Sequence, residues 1–220
     1  MLVLASITKK QIVAATGLFL VLFVLGHLTG NFFIYGGSEA YNGYAHHLNS
    51  LRPVLNVVEA GLFLIFLLHM SLTISLLIEN IQARGFRRYA VDRPVGERSW
   101  ASRLIPFTGT YILGFVIFHL FDFAFVSHFG ARSLINGIDR GLYGAVYNAF
   151  KDIRHSAAYI IAVSFLGFHL AHGVQSLIQT FGFENPVWSP RIRVLSVWIG
   201  GLVALAYSSI PLFILLYVKS

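Results

Sequence analysis

Five long apolar stretches divide this chain, at about residues 12–35, 54–81, 104–126, 155–181 and 194–218. An apolar helix of about 20 residues is long enough to cross the hydrocarbon core of a bilayer. Only 11% of the 220 residues are charged and 56% are hydrophobic, so a water-soluble fold would lack the charge to cover its surface. The pattern predicts an all-α integral membrane bundle of five transmembrane helices, with residues 1–220 forming a single domain.

The basic residues lie mainly in the connections between these stretches. This placement is typical of membrane orientation, and it argues against a basic groove for nucleic acid despite the net charge of +7. With five crossings, ten of the 16 basic residues fall on one side: Lys9, Lys10, Arg84, Arg87, Arg88, Arg93, Arg98, Arg103, Arg191 and Arg193. Because cytoplasmic loops carry the excess of Lys and Arg, the sequence predicts a cytoplasmic N-terminus.

Histidine is the polar residue that recurs inside the apolar stretches. The first four stretches each hold one in their interior, and these are His27, His69, His119 and His169. An imidazole ring inside a membrane is costly unless it has a partner, so it indicates a functional site. The chain has no cysteine, which excludes a cysteine-ligated iron–sulfur cluster within it. Imidazole is a good ligand of haem iron, and two imidazoles fill both axial positions.

The depths of the four histidines predict how they pair. Counted from the cytoplasmic end of each stretch at about 1.5 Å per residue, His27 and His119 lie about 21–22 Å deep. His69 and His169 lie about 14 Å deep by the same count. Two planes of two histidines predict two b-type haems stacked across the bilayer. One would be held by His27 and His119, and the other by His69 and His169.

The remaining histidines have weaker claims to a ligand role. His172 lies one turn after His169 and could compete with it, but His169 better matches the depth of His69. We expect His172 beside a haem, behind a ligand or at a propionate. The other four lie in or near external loops and are expected to be ordinary solvated residues: His46, His47, His128 and His155.

Several short motifs around these histidines match a known family. They are Thr16-Gly17-Leu18-Phe19-Leu20, Gly26-His27-Leu28, Asn31-Phe32, Glu39-Ala40-Tyr41-Asn42, Glu59, Leu68-His69, Phe118-His119, Phe168-His169-Leu170-Ala171-His172-Gly173 and Gln175-Ser176. In these motifs the chain resembles the diheme cytochrome b membrane anchors of succinate dehydrogenase and quinol:fumarate reductase, of the kind with one large anchor subunit. The resemblance extends over essentially the whole chain.

The resemblance implies a subunit of a menaquinol:fumarate reductase or succinate dehydrogenase that passes electrons between menaquinone and partner subunits through two b haems. In that family the first- and third-span histidines bind the distal haem, here His27 and His119. The second- and fourth-span histidines bind the proximal haem, here His69 and His169. The implied partners are a flavoprotein with FAD, which would hold the dicarboxylate site, and an iron–sulfur subunit. Both lie on the cytoplasmic side of a bacterial inner membrane, and the complex could dimerise.

Polar side chains at the cytoplasmic end often hold the haem propionates in this family. The residues here that could do so are Lys10, Gln11 and Gln179, with Lys9 and Thr180 beside them. No unmistakable motif marks any of them.

Two acidic residues near the outer side are candidates for a quinone site. Glu59 lies about a turn and a half inside the second stretch, and its position resembles that of an acid in the family. Asp122 lies one turn outward of His119. A carboxylate beside the quinol ring can accept a proton while the haem accepts an electron. The alternative is that either acid pairs with Arg52, Arg132 or His46 at the water interface, and the sequence favours Glu59 for the quinone role.

Three other classes of function compete with this interpretation. The main alternative is a haem b anchor of another respiratory oxidoreductase, of the hydrogenase or formate dehydrogenase type, which lacks the full set of motifs above. A transporter with proton-relaying histidines would be expected to have broken helices or repeat symmetry, and we detect no internal repeat in the sequence. A purely structural anchor has no need of four buried histidines.

Overall fold

A computed structural model describes residues 5–84, 100–125, 130–183 and 185–218. Within these ranges the α-helices are α1 (Ser6–Asn31), α2 (Gly37–Ser50), α3 (Arg52–Arg84), α4 (Trp100–His119), α5 (Gly141–Lys151), α6 (Ile153–Thr180) and α7 (Ser189–Leu216). Five of them, α1, α3, α4, α6 and α7, are long and apolar enough to cross a membrane. The predicted all-α membrane bundle is therefore confirmed.

The spanning helices extend beyond the predicted stretches at several ends. α1 begins at Ser6 rather than near residue 12, so Lys9, Lys10 and Gln11 lie in its first turns. α3 continues to Arg84. The reason is that backbone hydrogen bonds continue a helix into the polar interface, whereas hydropathy marks only the part inside the hydrocarbon.

The third span does not end as a regular α-helix. A π-helical turn over Leu120–Ala124 follows directly after His119. A π-helical turn inserts an extra residue into the helical repeat and is frequent at functional sites. It changes the direction of the side chains beyond the histidine, and Asp122 lies within it.

Two short helices that the hydropathy pattern missed lie together at one end of the bundle. These helices, α2 and α5, are too short to span a membrane. Together with residues 130–140 they form what we call the cap. The ring of Tyr41 meets that of Tyr143 edge-on, with 6.5 Å between their centres. Asn42 joins the two helices, since its Nδ2 donates to the carbonyl of Arg140 at 2.8 Å and its Oδ1 accepts from the backbone N–H of Tyr143 at 3.0 Å. We call this end of the bundle the cap end. The end at which α1 begins is called the N-terminal end.

A tight hairpin leads into α5. Its strands are β1 (Leu134–Ile135) and β2 (Ile138–Asp139), and its turn residues Asn136 and Gly137 have φ of 52° and 79°. Positive φ at both positions is the requirement of a type I′ turn, which Asn-Gly meets at low cost. The hydroxyl of Ser133 donates to Asp139 at 2.6 Å, and this bond, with that from the N–H of Gly141, lowers the pKa of Asp139. The ionised carboxylate fixes the hairpin to the start of α5.

The helices α6 and α7 pack backbone to backbone. A Cβ placed on Gly167 would lie 2.7 Å from the carbonyl oxygen of Gly200, and a Cβ on Gly200 would overlap the carbonyl oxygen of Gly167. Small residues allow this approach between membrane helices, where packing rather than the hydrophobic effect holds helices together. The seam fixes the position of α6, which carries His169.

The outer faces of the spans are apolar and unprotected by other parts of the protein. Val57, Leu64 and Phe168 are 72%, 64% and 68% exposed, and none of the most apolar window of α3 is buried. Lipid accepts such surface, and helices satisfy their backbone polar groups internally. The chain is a multi-pass membrane protein.

Candidate haem sites and the acid at the cap end

His27 on α1 and His119 at the end of α4 face each other inside the bundle. Their ring centres are 5.8 Å apart and the ring planes meet at 83°. Phe23 stacks on His27 at 5.4 Å, and the ring of Phe115 lies 5.8 Å from that of His119. The pair that the depth count proposed is thus brought together in an aromatic environment.

The separation of these two rings suits a single iron ion between them. A histidine nitrogen lies about 2 Å from a metal ion that it binds, so two rings on opposite sides of one ion have centres about 6 Å apart. Among the described residues, no three or more His, Cys, Asp or Glu side chains gather as a site for a bare metal ion. A haem iron already has four porphyrin ligands, so two histidines complete its coordination. The residues present therefore fit a haem.

His69 on α3 and His169 on α6 form the second pair. Their side chains are close enough to interact electrostatically. A threonine on a neighbouring helix contacts each ring: Thr16 Oγ1 lies 3.1 Å from Nδ1 of His69, and Thr108 Oγ1 lies 3.2 Å from Nδ1 of His169. Because Thr16 precedes His27 by about 16 Å along α1, this pair lies nearer the N-terminal end.

His172 lies beside the second pair and has an unsatisfied ring nitrogen. Its Nδ1 is buried and meets no hydrogen-bond partner among the described residues. It also interacts electrostatically with His169. A buried nitrogen without a partner costs free energy, and a haem propionate would supply the missing acceptor. The position of His172 beside a haem stays a prediction, and its unpartnered nitrogen is the observation that motivates it.

The three predicted propionate contacts lie exposed near the N-terminal end of the bundle: Lys10, Gln11 and Gln179. A more enclosed polar group is Lys9, whose side chain is 12% exposed. Its Nζ forms an ion pair with Glu79 and donates to Ser75 Oγ at 3.0 Å. No role for Glu79 was predicted from the sequence, although an acid one turn from the end of an apolar stretch is itself a signal.

Asp122 is the enclosed acid of the cap end, with a side chain only 8% exposed. Its Oδ2 accepts a hydrogen bond from the hydroxyl of Tyr159 at 2.8 Å and lies 2.8 Å from Nε2 of His155. Arg132 approaches its Oδ1 at 3.6 Å. The Tyr159 hydroxyl also lies 3.3 Å from Nδ1 of His119. Because the Tyr159 hydroxyl donates its one hydrogen to Asp122, it can only accept from the His119 ring. The contacts of Tyr159 and Asp122 therefore connect the ring of His119 to the cap.

Two members of this cluster were not identified correctly from the sequence. The expectation that His155 is an ordinary solvated residue is wrong, because its side chain is 19% exposed and its ring stacks on Tyr159 at 4.9 Å. No role for Tyr159 was predicted from the sequence. The available signal was the helical spacing of four residues between them, which places both on one face of α6.

Glu59 has a different environment. Arg52 donates from Nη2 to its Oε2 at 3.1 Å, and the two side chains are 51% and 52% exposed. The pair joins the first two turns of α3 at the surface of the cap end. This is the interfacial pairing with Arg52 that the sequence left open.

Most of the basic connection between α3 and α4 lies outside the described residues. This applies to Arg87, Arg88, Arg93 and Arg98, and also to His128 in the connection after α4. Orientation of the bundle in the membrane therefore still rests on the distribution of charge along the sequence.

The fold and the paired histidines define a class of protein, a multi-pass helical membrane protein with histidine pairs inside the bundle, of which the pair His27 and His119 fits a haem iron. The chain is 26% identical over 195 residues to the succinate dehydrogenase cytochrome b558 subunit of Bacillus subtilis (strain 168), an alignment that covers 87% of this chain and 86% of that subunit. No protein-family model matches the chain, and no solved structure matches it significantly. The relative confirms the resemblance to succinate dehydrogenase cytochrome b anchors that the sequence motifs indicated.

Proposed function

We propose that this chain is the cytochrome b membrane anchor of a succinate dehydrogenase or quinol:fumarate reductase complex. It would connect menaquinone in the membrane to an iron–sulfur subunit and an FAD-containing flavoprotein on the cytoplasmic side. The observation that carries the proposal is the gathering of four histidines from four spans into two pairs. The similarity to a succinate dehydrogenase cytochrome subunit over most of both chains supports it.

In this proposal each histidine pair holds one b haem, which takes up and releases single electrons when bound. His27 and His119 form the distal site near the cap, and His69 and His169 form the proximal site nearer the N-terminal end. A hydrocarbon core is about 30 Å thick, and two sites at different depths divide that distance into shorter intervals. This gives a physical reason for two pairs rather than one.

The reaction requires protons to be handled at the cap end. Oxidation of menaquinol to menaquinone releases two electrons and two protons. On the partner subunits, reduction of fumarate to succinate consumes two electrons and two protons, and succinate oxidation reverses both half-reactions. A carboxylate near the distal site can accept a proton from the quinol, which is ordinary general-base catalysis.

Asp122 is the acid that the geometry favours for this role. It is joined to His119 through Tyr159, and it contacts His155 and Arg132, which continue toward the cap. Glu59 is the second candidate, although its half-exposed pair with Arg52 lies at the surface. The proposal therefore reverses the order in which the sequence ranked the two acids.

The N-terminal end is the face that we propose for partner docking. The stretch from Arg84 to Arg103 carries six arginines, and Lys10 lies in the first turns of α1. This excess of basic residues suits an acidic surface on an iron–sulfur subunit. The alternative is that they only set the topology of the chain.

Co-purification tests the proposal directly. The tagged chain is isolated in mild detergent from membranes that contain its natural partners. We expect an FAD-containing subunit and an iron–sulfur subunit in stoichiometric amounts, together with menaquinol:fumarate reductase or succinate:quinone reductase activity. Recovery with hydrogenase or formate dehydrogenase subunits would instead establish the alternative. In the double variant Arg87→Glu/Arg93→Glu the complex should weaken while the haem spectrum stays unchanged, and an unaltered complex would contradict a docking role.

A further inference from the structure

The first and third spans share one local pattern. In both spans a Thr-Gly pair comes before the histidine: Thr16-Gly17 before His27 and Thr108-Gly109 before His119, with eleven residues from threonine to histidine in each case. The match is confined to this short stretch, so it is a local pattern and not an internal repeat of whole helices.

The spacing gives both copies the same geometry. Eleven residues make about three helical turns, so threonine and histidine lie on one face of their helix, about 16 Å apart. On α1 that face presents His27 to one site and Thr16 to His69 of the other site. On α4 it presents His119 to the first site and Thr108 to His169 of the second.

Both threonines are buried and their hydrogen bonds have a defined direction. Thr16 and Thr108 are 6% and 3% exposed. The hydroxyl of Thr16 lies 2.8 Å from the carbonyl oxygen of Ile12, and that of Thr108 lies 3.1 Å from the carbonyl oxygen of Ile105. A hydroxyl has one hydrogen, so once it is donated to the carbonyl only acceptor lone pairs remain for the imidazole. Each histidine must then carry its hydrogen on Nδ1.

The glycine after each threonine leaves room for the ring. A Cβ on Gly17 would lie 3.4 Å from Cε1 of His69, and a Cβ on Gly109 would lie 3.6 Å from Cε1 of His169. A methyl group would thus touch the ring, and a larger side chain would displace it. In each Thr-Gly pair, therefore, the threonine contacts the ring of a histidine on the neighbouring helix and the glycine leaves space for it.

We infer that Thr16 and Thr108 are matched positioning residues for the two proximal ligands, each holding its histidine in the Nδ1–H form with Nε2 directed to the iron. The inference rests on the proposed function in one respect, namely that His69 and His169 bind a haem. His119 in the distal pair has a tyrosine in place of the threonine, so the two sites are supported differently.

The threonines should also tune the electron affinity of the proximal site. A metal-bound histidine that donates its other N–H to an acceptor is a more basic ligand, and a more basic ligand stabilises the oxidised iron. Loss of the acceptor should therefore raise the midpoint potential of the proximal haem and leave that of the distal haem unchanged.

The test is a spectroscopic redox titration of the purified complex with Thr16→Val and Thr108→Val, which keep the shape and remove the hydroxyl. Thr16→Ser and Thr108→Ser keep the hydroxyl and should restore the wild-type potential. The matched controls are Thr29→Val on α1 and Thr110→Val on α4, whose exposed hydroxyls bond to the carbonyls of Leu25 and Pro106. If a valine variant fails to accumulate, the alanine and serine variants at the same position are compared instead, which tests the same loss of the hydroxyl.

The expected result is an upward shift of one and the same haem potential in both valine variants, with serine rescue and unshifted controls. Loss of that one haem with retention of the other would also support the inference. Unchanged potentials, or equal shifts of both haems, would overturn it. A wild-type protein without haem would instead overturn the proposed function, so the two failures are distinguishable.

Discussion

The hydroxyl of Tyr159 donates a 2.8 Å hydrogen bond to Asp122. The same oxygen lies 3.3 Å from Nδ1 of His119, so one side chain connects the enclosed acid to a proposed iron ligand. The ring of Tyr159 also packs edge-on against Phe115 and Phe150, with centres 5.1 Å and 5.0 Å away. The residue therefore has a packing role and a polar role that substitution can separate.

Tyr159→Phe should remove the polar role and keep the packing. We expect menaquinol oxidation to slow by about tenfold or more, since general acid–base groups contribute about 10²–10⁴-fold to rates. Both haems should remain bound in the visible spectrum. Tyr111→Phe is the control, because Tyr111 is exposed on α4 and its ring contacts that of Phe165 at a tilt of 38°. Equal rates for Tyr159→Phe and wild type would show that the path through this hydroxyl is not used.

The two acidic candidates can be ranked by isosteric amides. Asp122→Asn should slow menaquinol oxidation more than Glu59→Gln, because Asp122 is enclosed and joined to His119 whereas Glu59 pairs with Arg52 at the surface. An artificial dye should still drive fumarate reduction at the flavoprotein in both variants. A normal rate in Asp122→Asn with a slow Glu59→Gln would restore the ranking made from the sequence.

The sequence predicted most of the spanning architecture because hydropathy and length decide which segments cross a bilayer. It also paired the histidines as the structure brings them together, since helical rise converts sequence position into depth. The cap was missed because α2 and α5 are held by tertiary contacts, such as those of Asn42, and not by long apolar runs.

The finer features of the site depend on which helices are neighbours. The contacts of Thr16 with His69 and of Asp122 with His155 span 53 and 33 residues of sequence, and the π-helical turn that redirects Asp122 has no strong local signal. Contact between helices is set by packing, as at Gly167 and Gly200, and a single sequence does not disclose which faces meet.

The glycine seam between α6 and α7 should be sensitive to a single methyl group. Gly200→Ala would place Cβ against the carbonyl of Gly167 and 3.0 Å from Cβ of Ala171. Overpacking of this kind costs about 1–3 kcal/mol, so thermal unfolding in detergent should occur at a lower temperature than in wild type. Gly201→Ala is the control, because a Cβ there meets no described atom within 4 Å. Matching melting temperatures for the two variants would contradict the packing described for this seam.

The two histidines of α6 should differ in their effect on haem content. His169→Ala should lose or disturb the proximal haem, because His169 is paired with His69. His172→Ala should retain both haems, since Thr108 supports the ring of His169 and the depth of His169 rather than that of His172 matches His69. The measurement is haem per chain in the purified variants. Loss of a haem from His172→Ala alone would move the ligand assignment to His172.

The number of haems per chain tests the central claim most directly. Quantitative haem extraction and the reduced-minus-oxidised spectrum of the purified protein should give two b haems per chain, both low-spin. His119→Leu should lower that number to one, and His27→Leu should remove the same haem, because their rings share one site. A wild-type protein with no haem, or variants of His27 and His119 that lose two different haems, would contradict the account.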